Sequence, residues 1–441
     1  MNLVVVCPHF APDVAPTGAV ITRIVEELAS RGHRLHVITS LPWYREHRIE
    51  PGFEGKWMRR EDAPWGTITR LHPFPTRDKT NLFKRAVAFG GFSTLAAAVG
   101  ARCGPADGVL AMSPPLTLGL SGYAISKTHK APLVFNVQDI YPDVAVDLGA
   151  LTNRAVIRGA YRLERLCYDL AAAVTVLSDD LRANVAQKIG GTDRIHVIPN
   201  FVDTAWITPG PKENAYRRDH GLDGKTVVMY AGNVGLSQSL HLVIAAARAL
   251  ADRTDVVFVV NGGGAARVSL ENEARGLTNI RFVDAQPEER LPEVLSAADL
   301  HLVPLKAGLA RASVPSKTYS ILAAARPLLA SVDPGSEVAR IVERAGAGVA
   351  VPPDDPDAFI AELRRLVDGQ DELQRMGERG RNFVESWASP AAVAAAYEDL
   401  FRSVSGADRS SDGVPPSMRR NFAKWSRSSG RSDANRGSKS R

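Results

Sequence analysis

Short, continuous apolar runs alternate with helix-length segments along this chain, and they do so twice. "NLVVV" (2–6), "LHVITS" (35–40), "GVLAMS" (108–113), "PLVFNVQD" (132–139), "AAVTVLS" (172–178) and "IHVIPN" (195–200) make the first series. A loop carrying Pro209, Gly210 and Pro211 follows. A second series then opens with "TVVMYAG" (226–232) and continues through "DVVFVVNGGG" (255–264), "IRFVDA" (280–285), "LHLVPL" (300–305), "PLLASV" (327–332) and "GVAVPP" (348–353). A strand that is apolar at every position needs cover on both faces, and helices between such strands supply it while forcing parallel connections. The chain of 441 residues has room for two domains. Two series predict two Rossmann-like, doubly wound parallel-sheet α/β domains, 1–205 and 206–388, facing each other across a cleft. "SPAAVAAAYEDLFRSV" (389–404) reads as a helix with no strand after it.

A hydrophobic share of 45% and a charged share of 23% describe a globular chain, not a disordered or fibrous one. Cys7, Cys103 and Cys167 lack metal-ligand spacing and suit a reducing cytosol. "MNLVVVCPHF" lacks the basic start and long apolar stretch of a signal peptide, so a cytoplasmic location is expected. The net charge of +6 resides in 405–441, which holds nine cations and three anions. That Ser-, Gly- and Arg-rich tail has too little apolar surface to offset the entropy of ordering and is expected to be disordered. The tail reads either as a solvated appendage or as a contact to an anionic surface; Phe422 and Trp425 among its cations favour a membrane surface, and no nucleic-acid partner is expected.

In open parallel sheets ligands sit beyond the carboxyl ends of the strands, so the chemistry is sought in the loops there. The first such loop, "CPHFAPDVAPTGAV", is too long for the dinucleotide fingerprint, which disfavours a dehydrogenase. Gly18 at the start of its helix reads either as a glycine that lets a ligand approach the backbone or as a plain helix-entry glycine. In "YAGNVGLSQSL" (230–240), Gly232 and Gly235 permit a tight turn whose N–H groups would meet an anion. "VVNGGGAAR" repeats the arrangement with Asn261, Gly262 and Gly263, ahead of Arg267. Two glycine turns in successive βα units point to a phosphate-bearing ligand. In "SVPSKTYSILAAARP" (313–327) one lysine stands at the mouth of an apolar helix, after the Pro315–Ser316 corner. Ser313 or Ser316 would cap that helix. A cation is disfavoured at a helix amino end unless an anion meets it there, so Lys317 is expected to converge on a phosphate pair with the N–H groups.

"GNVGLSQSL", "NGGG", "VPSKTYSILAAARP", "VIPNFVD" (197–203) and "VQDIYPD" (137–143) together resemble glycosyltransferase family 4, in particular the sugar transferases of O-antigen, colanic acid and exopolysaccharide synthesis. The likeness spans about residues 1–404. It implies the GT-B fold, a UDP- or GDP-linked sugar donor held by the second domain, and transfer with retention. No metal or other cofactor is implied, and the last helix should cross back onto the first domain. It implies a polyprenyl-diphosphate-linked or saccharide acceptor, hence a peripheral seat on the inner face of the cytoplasmic membrane. The family's paired glutamates match Ala312 and Ser320 here, leaving Ser320 one hydroxyl for the donor ribose. Its diphosphate-gripping arginine and lysine match Asn233 and a position near Ser237–Gln238, so Lys317, with Arg267, must supply the positive charge.

On the first domain, Asp139 at the cleft end of its strand is the expected group to steer or deprotonate the acceptor hydroxyl. Tyr141 would stack on a sugar, and His9 would reach the acceptor or bond locally. Asp143 and Asp147 read as solvated helix residues, and Asn200 as a hinge. "DDPD" (354–357) precedes a helix and reads as a cap, not a metal site. Residues 86–101 carry no charge and read either as an amphipathic helix on the leaflet or as a helix buried in the first domain. Two other readings stand beside the transferase: a GT-B nucleotide-sugar 2-epimerase, which would want a carboxylate cluster, and a catalytically silent scaffold binding nucleotide or membrane.

Overall fold

The computed structural model describes residues 1–45, 48–74, 82–147, 151–235, 237–308 and 317–406, the side chains of 82–87 and 147 excepted. Ala312, Ser313, Pro315, Ser316 and the basic tail beyond 406 lie outside the described residues.

The first sheet holds β1 (Asn2–Val6), β2 (Arg34–Ser40), β3 (Met58–Ala63), β4 (Gly66–Leu71), β5 (Gly108–Ser113), β6 (Leu133–Val137), β7 (Ala173–Val176) and β8 (Ile195–Val197) in the order β3-β4-β2-β1-β5-β6-β7-β8. Its helices are α1 (Pro16–Ser30), α2 (Leu82–Gly100), α3 (Thr117–His129), α4 (Asp143–Asp147), α5 (Arg154–Leu170) and α6 (Asp179–Ile189). The second sheet holds β9 (Thr226–Ala231), β10 (Val256–Asn261), β11 (Ile280–Val283), β12 (Leu300–Pro304), β13 (Leu328–Ser331) and β14 (Gly348–Val351) in the order β11-β10-β9-β12-β13-β14. Around it lie α7 (Ala215–Asp219), α8 (His241–Ala249), α9 (Arg267–Glu273), α10 (Leu291–Ser296), α11 (Lys317–Ala323), α12 (Glu337–Ala345), α13 (Pro356–Val367) and α14 (Gln370–Trp387), with α15 (Pro390–Val404) last.

The second sheet is parallel throughout. The first is parallel except for β3, which pairs antiparallel with β4. No strand was expected there, because "MRREDA" is polar and forms an edge strand of alternating exposure with no core face to betray it. Strand order reverses between β1 and β5 in one sheet and between β9 and β12 in the other. Such switch points open crevices at the carboxyl ends of the strands, so the loops after β9 and β12 share one crevice.

One face of the first sheet packs on α1 and α15, the other on α2, α3, α5 and α6. α15 buries Val393, Tyr397 and Phe401 in the first domain. The Tyr397 hydroxyl accepts a 2.8 Å bond from Asn136, and Glu398 takes Arg31 at 2.6 Å. A Cβ at Gly108 would lie 2.6 Å from the Phe401 ring, so only glycine leaves β5 room for this helix. In α2, Phe92 and Ala96 join the core, and a Cβ at Gly100 would meet Ile125 at 2.2 Å. Ser93 bonds Thr117 at 2.7 Å. Of the two readings of this segment, the structure takes the buried one for its described side chains: small residues let α2 lie close on α3. Among the described residues no helix is long and apolar enough to cross a membrane.

Val202 and Ile207 already belong to the second domain's core, and Val202 N donates to Ala388 O at 3.0 Å. Arg381 of α14 holds the linker through Thr204 O (2.9 Å) and Ile207 O (2.7 Å). Arg340–Asp180 and Arg344–Asp179, each 2.7 Å, join α12 to α6 across the domains. The "DDPD" segment acts as a cap: Asp355 accepts from Ala358 N at 3.0 Å.

Candidate active site

The loops after β9 and β10 interlock. Gly232, Gly262 and Gly264 have φ of 140°, 143° and 151°, where a side chain is strained. A Cβ at Gly262 would lie 2.0 Å from Gly232 O, and one at Gly264 2.4 Å from Val234 O. Gly232 N donates to Asn261 O (2.9 Å), Val234 N to Gly263 O (2.8 Å) and Ala266 N to Val234 O (3.0 Å). Gly235 N donates to Gln238 Oε1 at 3.0 Å, and a Cβ at Gly235 would strike both Gln238 and Asn233 at 2.8 Å. This revises the expectation of free N–H groups. Those of Gly232, Val234 and Gly235 are used between the loops and on Gln238, and two of the glycines are required by loop stacking. Gly263 differs: a Cβ there would meet nothing within 4 Å.

Lys317 opens α11 at the neighbouring loop. Its Nζ donates to the Tyr230 hydroxyl at 2.8 Å and stands 4.1 Å from that ring's centroid. A Cβ at Gly232 would come within 3.1 Å of Nζ, so the ammonium lies directly on the glycine turn. The Tyr230 hydroxyl donates in turn to Asn233 O at 2.6 Å, linking the lysine to the loop. Among the described residues no carboxylate forms an ion pair with Lys317. Burial pushes its pKa down to about 8. The ring face and hydroxyl offset part of that desolvation; a desolvated cation–π contact is worth about 2 kcal/mol. His301 on β12 is kept neutral, driven down to about 4 chiefly by burial. Tyr230 was not singled out in the sequence; its place at the end of β9, where cleft-facing side chains fall, was the available signal.

Arg267 is turned to other work. It grips Gly262 O, donates to Val283 O at 3.0 Å and pairs with Glu271. Its charge thus pins the ends of β10 and β11 instead of standing free for a ligand. Asn261 accepts from the buried Tyr216 hydroxyl at 2.8 Å, which faces it into the domain. Ser320 is half-buried one turn after Lys317, on the same side of α11.

On the first domain, Asp139 follows β6 and is open to solvent on one side, while partial burial on the other raises its carboxyl above the ordinary range. Tyr141 is half-buried beside it. Asp143 is no solvated residue: it takes Lys188 and Asn184 at 2.9 Å each, and Lys188 reaches Glu164 at 2.7 Å. Burial alone would raise the Asp143 carboxyl; these bonds outweigh it and hold it low. His9 Nδ1 bonds buried Asp13 at 2.7 Å, and its ring packs on Trp43 and Tyr44. Arg70, buried on β4, holds Phe10 O and Ala11 O at 3.5 and 2.6 Å. A Cβ at Gly18 would touch the His9 Cβ at 3.0 Å, so this glycine lets α1 pack under the loop. No hydrogen bond or ion pair among the described residues joins Asp139, Tyr141 or His9 to Lys317.

Two family models match the chain in succession: a glycosyl transferase 4-like domain over residues 17–200 and glycosyl transferases group 1 over 212–383. WbjE of Pseudomonas aeruginosa, assigned as a glycosyltransferase, is 30% identical over 304 residues, covering 67% of this chain and 74% of that protein. WcaI of Escherichia coli, assigned as a glycosyl transferase of colanic acid biosynthesis, is 27% identical over 83% of this chain and 92% of its own. Among solved structures, Anabaena HepE in complex with UDP superposes with a TM-score of 0.61 at 13% identity, over 91% of this chain and all of that one.

Proposed function

This chain belongs to the GT-B glycosyltransferases of family 4, and from that premise we propose that it moves a sugar, with retention, from a UDP- or GDP-linked donor to a lipid-linked or saccharide acceptor in cell-surface polysaccharide synthesis. The observation that carries the reading is the buried ammonium of Lys317, seated on Gly232 and the Tyr230 face, with no carboxylate partner among the described residues, at the switch point of the second sheet. Leaving-group departure places growing negative charge on a nucleoside diphosphate. A positioned cation in a partly desolvated crevice stabilises that charge strongly, as removal of a single oxyanion donor elsewhere costs about a hundredfold or more in rate. The lysine supplies what a divalent metal would, so the reaction proceeds without one. Asp139, with its carboxyl raised and one side open, steers or deprotonates the acceptor hydroxyl. His9, oriented by Asp13, is the second first-domain group offered to the acceptor. WcaI, with its assignment to colanic acid biosynthesis, supports the polysaccharide setting, WbjE supports glycosyl transfer, and the UDP complex of HepE supports the donor class.

The test is turnover of a UDP- and GDP-sugar panel with polyprenyl-diphosphate-linked and free saccharide acceptors, with and without EDTA, the anomeric configuration of the product being read by NMR. The reading expects one donor to be consumed with retained configuration and undiminished rate in EDTA. A panel without transfer, or interconversion of donor sugars at C2, contradicts it.

A further inference from the structure

Ten large apolar side chains are exposed among the described residues, and four of them lie on one helical layer of the first domain: Leu120 (37%), Val156 (51%), Tyr161 (37%) and Leu166 (45%). Leu120 is on α3 and the other three are on α5, which packs beside it. α5 buries Glu164, Cys167 and Tyr168. At 3.6 residues per turn, the opposite side presents Arg154, Arg158, Arg162 and Arg165 along one outward line, and all four are exposed. Leu166 flanks that line on one side and Tyr161 on the other. Among the described residues Arg165 alone of the four meets a carboxylate, Asp169 at 3.7 Å, and Asp169 is the one exposed acid on the helix. α3 contributes exposed Lys127 and contains no acid at all. A row of four guanidinium groups with one carboxylate partner among the described residues, flanked by exposed Leu166 and Tyr161, suits a partner that offers both anions and apolar surface.

We propose that the outer face of α3 and α5 rests on an anionic lipid bilayer. Guanidinium groups meet lipid phosphates as bidentate donors, while their stems, Leu120 and Leu166 enter the headgroup boundary. A polyanion without apolar surface would answer the arginines and leave the aliphatic side chains in water, which favours lipid over nucleic acid. The placement suits the transfer reaction: α5 starts just past α4, so its Arg154 end lies at the carboxyl edge of β6 where Asp139 stands. A lipid-borne acceptor held at this face would present its sugar to that edge. The inference extends the functional reading but stands or falls on its own measurement.

The experiment is co-sedimentation of the full-length chain with phosphatidylcholine vesicles and with vesicles containing a quarter phosphatidylglycerol, for the parent and for an Arg154→Gln/Arg158→Gln/Arg162→Gln variant. Melting temperature and nucleoside-diphosphate binding, measured on the same samples, verify the fold and report the donor site separately. The parent is expected to partition at least tenfold more strongly onto the anionic vesicles and to release as salt rises, and the variant to lose on the order of a hundredfold. Equal binding to both vesicle types, unchanged binding by the variant (its basic tail being intact), or a loss seen with duplex DNA but not with vesicles would each overturn the proposal.

Discussion

At the scale of residues, one lysine organises the second domain's crevice. Lys317 gives up hydration for a ring face and a phenol oxygen, and no carboxylate among the described residues pairs with its ammonium. Folding lowers its pKa from 10.5 to about 8, so the charged form costs stability below pH 8, and that cost fades as pH rises towards 10.5. The titratable groups beside it stay silent in this window: burial holds the Tyr230 phenol above its ordinary value, and His301 is neutral from about pH 4 upward. On the proposed reading a bound diphosphate restores the ammonium, so binding above pH 8 must take up a proton. Diphosphate affinity is therefore expected to be flat from pH 6.5 to about 8 and to weaken towards tenfold per pH unit above it, as calorimetry in two buffers would show. The lysine was legible in the sequence because its oddity is local: a cation at the mouth of an apolar helix. Tyr230 was not, because two segments 87 residues apart meet only in the folded chain.

At the scale of elements, the glycine turns show how a motif can have a physical cause other than the one its spacing suggests. Gly262 and Gly264 are glycines because their loop lies on the carbonyls of Gly232 and Val234, a contact between the loops after β9 and β10 that no single stretch reveals. Arg267 is the parallel case. Spacing placed a cation beside a phosphate loop; the fold gives it the Gly262 and Val283 carbonyls and Glu271. Arg267→Ala should therefore cost about 1–3 kcal/mol of stability through unsatisfied carbonyls, seen as a lower melting temperature, while changing diphosphate affinity less than threefold. A selective loss of affinity at unchanged melting temperature would return the arginine to the ligand. β3 escaped notice for the reason an edge strand should: half its surface faces water, so it bears no apolar run.

At the scale of the whole molecule, both domains and their order were legible because a doubly covered parallel sheet leaves uninterrupted apolar strands. The residues of α15 alone showed only a helix without a strand; its return to the first domain was expected from the family resemblance, and its seat depends on Phe401 filling the space above Gly108. Phe401→Ala is expected to remove about 3–5 kcal/mol from the first domain; in calorimetry this should lower the melting of that domain and leave the nucleotide-stabilised melting of the second in place. The central claim, that Lys317 receives the donor's diphosphate, is tested most directly by titrating the parent and Lys317→Met with UDP, GDP and their nucleosides at pH 7. The account predicts that the preferred diphosphate binds the variant about a hundredfold more weakly while the matching nucleoside changes less than threefold. Equal diphosphate affinity in the two proteins, or no diphosphate binding by the parent, would contradict it.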